Sequence, residues 1–161
     1  MTVELLIKEI KITDLAGLRK VEKILYACGK DMVQKYDIHQ WDNTHTKNMM
    51  ILALCELKNK VFLVSDELGK PAATFQIRET DDILYFEKIG TLPKHQRKGI
   101  AEKTLEQIKM IAKDKGCSKV GCSVYEKNTY ALEYYLKKGF TNCGTKPTKK
   151  YKLINMELSL I

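Results

Sequence analysis

The segment from Ile83 to Val124 constrains the fold more than any other, because it reads as a strand, a helix and a second strand. An apolar, strand-like run covers residues 83–91, and another covers residues 118–124. A unit of this length normally forms two parallel strands joined by a right-handed crossover. The sequence therefore predicts an α/β fold with parallel strands in its central sheet. The connecting helix is predicted over about 99–115, with its apolar face at Ala101, Leu105, Ile108 and Ala112.

The turn into this helix is basic and contains a glycine, in the order Gln-Arg-Lys-Gly-Ile-Ala over residues 96–101. The start of a helix has unpaired N–H groups and a partial positive charge, which stabilise an anion. Gly99 lets a phosphate approach the backbone, Ala101 keeps the first turn uncrowded, and Arg97 and Lys98 add charge. On these residues alone, an ordinary turn is the commoner interpretation and a phosphate site the alternative.

A second group of residues follows the next strand at fixed spacing: Asn128, Ala131, Tyr135, Gly139 and Phe140. Together with Gln96, Gly99 and Ala101, and with Pro93 ahead of them, this group resembles the GCN5-related N-acetyltransferase family. Members of that family carry a [Gln/Arg]-x-x-Gly-x-[Gly/Ala] loop after the fourth strand. They carry an Asn-x-x-Ala-x-x-x-Tyr-x-x-x-Gly-Phe segment after the fifth. The resemblance is specific over about residues 83–140.

The resemblance implies an α/β (α+β) fold in one domain over residues 1–161. The element order is then β-α-α-β-β-β-α-β-α-β-β, in a mixed sheet whose central parallel strands splay apart. No linker, repeat or low-complexity tract indicates a second domain. The other predicted elements are a strand over 3–12, a helix capped by Thr13 or Asp14, a helix over about 46–58, and strands over 60–65, 72–77, 140–145 and 151–160.

The resemblance further implies that acetyl-CoA is the coenzyme, with its pyrophosphate on the loop and its pantetheine arm along the fourth strand. The Ile89 N–H is the expected donor to the acetyl carbonyl, and Asn128 the expected partner of the pantetheine. Ordinary strand packing is the alternative for Ile89 and Thr91, and a helix N-cap is the alternative for Asn128. The expected coenzyme-binding residues are Ile89, Gly90, Thr91, Gln96, Arg97, Lys98, Gly99, Ile100, Ala101, Asn128 and Tyr135.

Two residues are the candidates for catalysis. Tyr135 lies seven residues after Asn128, where the family has its general acid, and a phenol with a pKa near ~10 is protonated at neutral pH. The alternative is that Tyr135 is only a core aromatic. Glu87 in the fourth strand is the candidate general base, acting through water, because alternation puts it on the face of Tyr85 and Ile89. The alternative is a solvated strand residue paired with a lysine.

The amine acceptor is expected beside residues 37–42, which resemble the segment that walls the acceptor pocket in the family. Gln40 and Trp41 are the candidate acceptor-binding residues, although a lone Trp is more often core. The ribosomal-protein alanine acetyltransferases carry a catalytic Glu five residues before the Asn, where this chain has Ser123. This departure favours a small-molecule amine. A protein or peptide N-acetyltransferase and a non-catalytic coenzyme-A-binding module are the alternatives, and the sequence names neither the amine nor an oligomeric state.

The positive charge is concentrated in one half of the chain. The net charge is +8, and residues 94–161 carry fifteen Lys and Arg against six Asp and Glu. This excess lies in the half with the loop, where it would attract coenzyme phosphates, although a solvated lysine-rich surface is the simpler explanation. A nucleic-acid partner is not expected, because no aromatic-interleaved basic motif or helix-turn-helix pattern occurs.

The five cysteines indicate a reducing compartment. Their number is odd and they form no Cys-x-x-Cys pair, so buried apolar thiols are expected rather than disulfides or a metal site. The start of the chain lacks the features of a signal peptide, and no apolar run is long enough to span a bilayer. A cytoplasmic acyltransferase without membrane partners is the expectation.

Overall fold

A computed structural model of the chain describes residues 4–39, 41, 59–149 and 151–161. The predicted helix over 46–58 and the candidate residue Gln40 lie outside these residues. The elements are β1 (Leu6–Ile10), α1 (Leu15–Tyr36), β2 (Lys60–Ser65), β3 (Pro71–Thr80), β4 (Ile83–Thr91), a 3₁₀ turn (Pro93–His95), α2 (Ile100–Asp114), β5 (Lys119–Tyr125), α3 (Thr129–Lys137), β6 (Thr141–Pro147) and β7 (Lys152–Ser159).

The strands form a mixed sheet, as predicted. Their order is β1-β2-β3-β4-β5-β7-β6, with β4 and β5 parallel. The pairs β1–β2, β2–β3, β5–β7 and β6–β7 are antiparallel. The parallel ladder joins only the first three residues of each strand, from Ile83 opposite Lys119 to Tyr85 opposite Gly121. A parallel ladder this short agrees with the prediction that β4 and β5 splay apart.

The chain divides into two compact units, and the first comprises residues up to 78 together with 88–107. Here α1 begins after Asp14, whose carboxylate accepts a hydrogen bond from the Gly17 N–H at 2.9 Å and so caps the helix as predicted. Apolar residues three and four positions apart turn one face of α1 onto β1 and β2. The buried core of this unit contains Ile10, Leu18, Val21, Ile24, Leu25, Cys28, Val61 and Leu63.

The second unit comprises residues 79–87 and 108–161. Asn128 caps α3 by accepting from the Ala131 N–H at 3.1 Å, and the left-handed Gly139 (φ +95°) ends the helix. The Phe140 N–H then donates to the Tyr135 carbonyl at 3.0 Å, which closes the helix end. The N-cap is one of the two roles predicted for Asn128. The buried side chains of this unit include Leu84, Phe86, Val120, Cys122, Val124, Tyr135, Phe140 and Met156.

The buried face of α2 differs by one position from the predicted one. Ala101 is exposed, and Ile100 is buried in its place. Thr104 is buried too, because its hydroxyl donates to the Ile100 carbonyl at 2.8 Å and needs no other partner. None of the helices described has the length and hydropathy to cross a membrane.

Candidate active site

The loop before α2 has the backbone shape of an anion cradle. Arg97 (φ +62°) and Gly99 (φ +79°) are both left-handed, and left-handed residues are typical of the backbone concavities that bind anions through N–H groups. The Lys103 N–H donates to the Gly99 carbonyl at 3.1 Å, in the first turn of α2. The start of a helix carries a partial positive charge, which stabilises an anion. Among the residues that the structure describes, and apart from the two chain neighbours, no heavy atom lies within 4 Å of the position that a Cβ on Gly99 would occupy. The space over the loop is therefore open to a ligand.

The side chains of the loop differ in exposure: the charged ones are exposed, and the others face the protein. Arg97 and Lys98 are exposed, which leaves two cations beside the cradle. Ile100 is buried, so only its backbone is available to a ligand. Gln96 bonds to Lys35 and Asp31 of α1 and to the Thr91 carbonyl, so its side chain faces the protein.

The end of β4 lies close against α1. Gly90 has room for no side chain, because a Cβ there would lie 2.9 Å from the Cys28 sulfur and 3.5 Å from the Trp41 ring. The Cys28 thiol donates to the Thr91 carbonyl at 3.3 Å. Trp41 is half-buried against the first core, and its backbone and Cβ lie beside Gly29. The structure therefore brings the predicted arm-binding strand and the predicted acceptor residue Trp41 together.

In the second unit, Tyr135 lies in an aromatic cluster. Its ring centroid is 5.2 Å from that of Phe140, 5.4 Å from that of Tyr134 and 5.8 Å from that of Phe86. Only 7% of the residue is exposed. Burial holds the pKa of the Tyr135 phenol well above its usual value, and the neighbouring Cys122 and Tyr134 raise it further. The ring is thus part of the core, and its hydroxyl stays protonated across the physiological range.

The prediction that Glu87 shares a face with Ile89 rests on strict alternation of side chains along β4. Strict alternation requires extended backbone at the residue between them, but Lys88 is left-handed with φ +49°. Glu87 is half-buried in β4. Its role as a base stays a prediction.

Ser123 occupies the position at which the ribosomal-protein alanine acetyltransferases carry their catalytic Glu. Its hydroxyl is exposed and donates to the Asn155 side-chain oxygen at 2.8 Å. Asn155 lies opposite Ser123 in the β5–β7 ladder. A hydroxyl in this position is a poor base at neutral pH, because its proton is held far too tightly.

The comparison with protein families decides what this arrangement is. A model described as "Acetyltransferase (GNAT) family" matches residues 28–140, which is more than half of the chain. The chain belongs to the GNAT family. It is therefore an acetyltransferase with acetyl-CoA as its coenzyme. No curated protein sequence matches it.

Solved structures of GNAT proteins share the fold at low sequence identity. The ribosomal-protein-S18-alanine N-acetyltransferase from Escherichia coli has a TM-score of 0.73 and 19% identity, covering 98% of this chain and 94% of that one. PaiA N-acetyltransferase from Thermoplasma acidophilum, solved with coenzyme A, has a TM-score of 0.73 and 16% identity, covering 97% and 99%. Spermidine/spermine N-acetyltransferase SpeG from Vibrio cholerae has a TM-score of 0.66 and 15% identity, covering 97% and 92%. At these identities the likeness shows the fold alone.

The loop of this GNAT chain fits the pyrophosphate of the coenzyme. The left-handed Arg97 and Gly99, the open space at Gly99 and the partial positive charge at the start of α2 suit an anion in both shape and charge. The residues that would hold it are the backbone of 97–102 and the side chains of Arg97 and Lys98. The individual contacts stay predictions.

Sequence reasoning missed three contributors to the site: Cys28, Asp31 and Lys35 of α1. Cys28 was expected only as a core thiol, and the other two drew no attention. A signal was present, because positions 28, 31 and 35 follow one another at three- and four-residue steps and so form one stripe along α1. An acidic residue and a lysine on that stripe indicate a polar partner in the layer below.

We expect no acetyl-cysteine during turnover. Burial raises the pKa of Cys28 to about 12, with a further rise from the nearby Asp31 carboxylate, and burial raises the pKa of Cys122 to about 12. Both thiols stay protonated at neutral pH and are poor nucleophiles. Intact-protein mass spectrometry after incubation with acetyl-CoA and no acceptor should show an unchanged mass. A stoichiometric adduct that transfers to an added amine would contradict this, and a Cys143→Ser variant controls for acetylation of that exposed thiol.

Proposed function

We propose that this GNAT chain, acting as a single domain, transfers an acetyl group directly from acetyl-CoA to a primary amine of a small molecule. The observation that carries the substrate class is Ser123. The absence of a carboxylate at this position separates the chain from the ribosomal-protein alanine acetyltransferases, although one of them is similar in fold. The similarity to the SpeG fold is compatible with a small amine, which that protein's name specifies.

Each candidate residue then has a distinct task. Bound acetyl-CoA supplies the acetyl thioester that an amine attacks. The loop and the start of α2 bind and orient phosphate, and the N–H of Ile89 is the proposed hydrogen-bond donor toward the acetyl oxygen. Tyr135 keeps a proton on its hydroxyl for the departing sulfur, which its raised pKa supports. Glu87 accepts a proton from the amine through water. Gln40 and Trp41 form part of the wall around the acceptor.

The test is a thiol-release assay over matched acceptors. Each amine is assayed beside its fully N-acetylated form, in which no reactive amine remains. The panel contains a polyamine, an amino acid, an aminoglycoside and a peptide with an N-terminal alanine. We expect amine-dependent release with at least one small molecule and none above background with the peptide. Turnover confined to the peptide would replace the proposal with protein N-terminal acetylation. Coenzyme A binding without turnover on any acceptor would favour the non-catalytic module.

A Glu87→Gln variant should lose rate chiefly at low pH. There the acceptor is mostly an ammonium, so its deprotonation by a base limits the reaction. At high pH the amine is already neutral, and the variant should approach the wild-type rate. The check is a pH profile of kcat/KM for both proteins with the identified acceptor. A rate loss of equal size at every pH would show that Glu87 does not act as the base.

A further inference from the structure

The side chain of Gln96 is held in place by α1 through a closed set of polar contacts. Its Oε1 accepts from the Lys35 Nζ at 3.1 Å, and its Nε2 donates to the Asp31 Oδ2 at 3.3 Å. Lys35 and Asp31 in turn form an ion pair at 3.2 Å, one helical turn apart. The side chain of Asp31 is only 15% exposed, so this carboxylate is well shielded from solvent. We call these three residues the Gln96 clamp.

The clamp also reaches the end of β4, which precedes the coenzyme loop. The Gln96 Nε2 also lies 3.4 Å from the Thr91 carbonyl, the last residue of β4. That carbonyl accepts from the Cys28 thiol at 3.3 Å as well. Gln96 itself directly precedes the left-handed Arg97. The end of β4 and the start of the loop are therefore both attached to one face of α1, at positions 28, 31 and 35.

We infer that Asp31 and Lys35 are positioning residues for the coenzyme, acting through Gln96 to fix the loop in its anion-binding conformation. A left-handed Arg97 is a strained conformation for a residue with a side chain, and it persists only where its surroundings impose it. Attachment of Gln96 fixes the residue before that turn. A loop fixed before binding has less conformational freedom to lose when the ligand arrives. The inference rests on the proposed role of the loop.

The direction in which one substitution changes the affinity for coenzyme A distinguishes positioning from electrostatics. Removing Asp31 removes a negative charge near a site for phosphates, so a purely electrostatic effect would tighten coenzyme binding. Loss of positioning would weaken it. For Asp31→Ala we expect the Kd of coenzyme A, measured by calorimetry, to rise about five- to twentyfold. Asp31→Asn removes the same charge but keeps an oxygen for the Gln96 Nε2, and should bind within about twofold of wild type. Equal or tighter binding by Asp31→Ala would overturn the inference.

A matched lysine pair and a double variant complete the test. Lys35→Ala should weaken binding, whereas Lys23→Ala, at an exposed position on the same helix, should not. Gln96→Leu removes the carboxamide and should weaken coenzyme A binding as Asp31→Ala does. The double variant Asp31→Ala/Gln96→Leu should have a Kd no higher than that of the single variant with the higher Kd. Additive losses in the double variant would overturn the clamp.

Two further readouts separate positioning from a general loss of structure. The melting temperature without ligand should stay within a few degrees of wild type in each variant, because the ion pair is partly exposed. The KM for acetyl-CoA should rise while kcat at saturation is kept. A wild-type protein that does not bind coenzyme A would defeat the loop assignment and the inference together. Normal wild-type binding with an insensitive Asp31→Ala defeats the inference alone.

Discussion

Replacing Tyr135 by Phe should lower kcat about ten- to a thousandfold and change little else. The ring stays, so its contacts with Phe86 and Phe140 stay, and only the hydroxyl proton is lost. The phenol holds its proton at neutral pH, as an ordinary tyrosine does, so a proton is available to the leaving thiolate, and burial makes the phenol a weaker acid. The affinity for acetyl-CoA and the melting temperature should be nearly unchanged. Steady-state kinetics with an identified acceptor, together with thermal unfolding, measure all three quantities.

Tyr130→Phe is the control for this experiment. Tyr130 lies on the same helix with 62% of its surface exposed, and the same hydroxyl deletion there should leave turnover unaffected. If Tyr135 is only a core aromatic, Tyr135→Phe will turn over at nearly the wild-type rate. That result would remove the general-acid role and leave the fold assignment intact. A large fall in melting temperature would instead indicate a structural hydroxyl.

A Gly99→Glu substitution should abolish stabilisation by acetyl-CoA. Ligand at about a hundredfold its Kd stabilises the folded state by about 2.7 kcal/mol, so wild type should melt several degrees higher with the coenzyme. The shift should shrink at high salt, because part of the attraction is screened. A glutamate at position 99 puts bulk and negative charge into the open space over the cradle. Differential scanning fluorimetry with and without acetyl-CoA measures the effect.

Gly116 provides a closely matched control for Gly99. Both glycines have a φ of +79°, and in the described part of the chain neither has a heavy atom beyond its two chain neighbours within 4 Å of its Cβ position. A glutamate at either site bears the same left-handed strain, about 1–2 kcal/mol, so the two variants without ligand should lose similar stability. Gly116→Glu should keep the full shift with acetyl-CoA. If Gly99→Glu keeps it as well, the coenzyme phosphates do not lie on this loop.

Features set by neighbouring residues along the chain were predictable from the sequence. The bounds of β4 follow from one apolar run, and the Asn128 cap follows from its own side chain and the helix behind it. The buried face of α2 was misplaced by one residue because its pattern allows either Ile100 or Ala101 to face the core. In the structure the polar Thr104 is buried on the same side as Ile100, and its hydroxyl bonds within its own helix, which composition alone does not reveal.

Features set by distant partners were not predictable. Gln96 belongs to a known loop motif, but its partners Asp31 and Lys35 lie more than sixty positions earlier in the chain. The left-handed Lys88 is equally hidden, because a lysine within a strand carries no local signal for that conformation. This conformation interrupts the alternation of side chains from which Glu87 was predicted to share a face with Ile89. The candidate catalytic residues therefore depend on an alignment, whereas their surroundings depend on the tertiary structure.

The outer strand β6 bears on how this protein avoids aggregation. It is the last strand of the sheet, and all seven of its residues are exposed. Such an edge could pair with strands of other chains, but several features oppose it. The register with β7 shifts between Asn142 and Thr145, and Gly144 between them has a φ of +119°. Lys146 adds a charge, and Pro147 cannot donate a backbone hydrogen bond. An incoming strand therefore finds a bent, charged edge with an interrupted row of donors, which disfavours growth of the sheet from one molecule to the next.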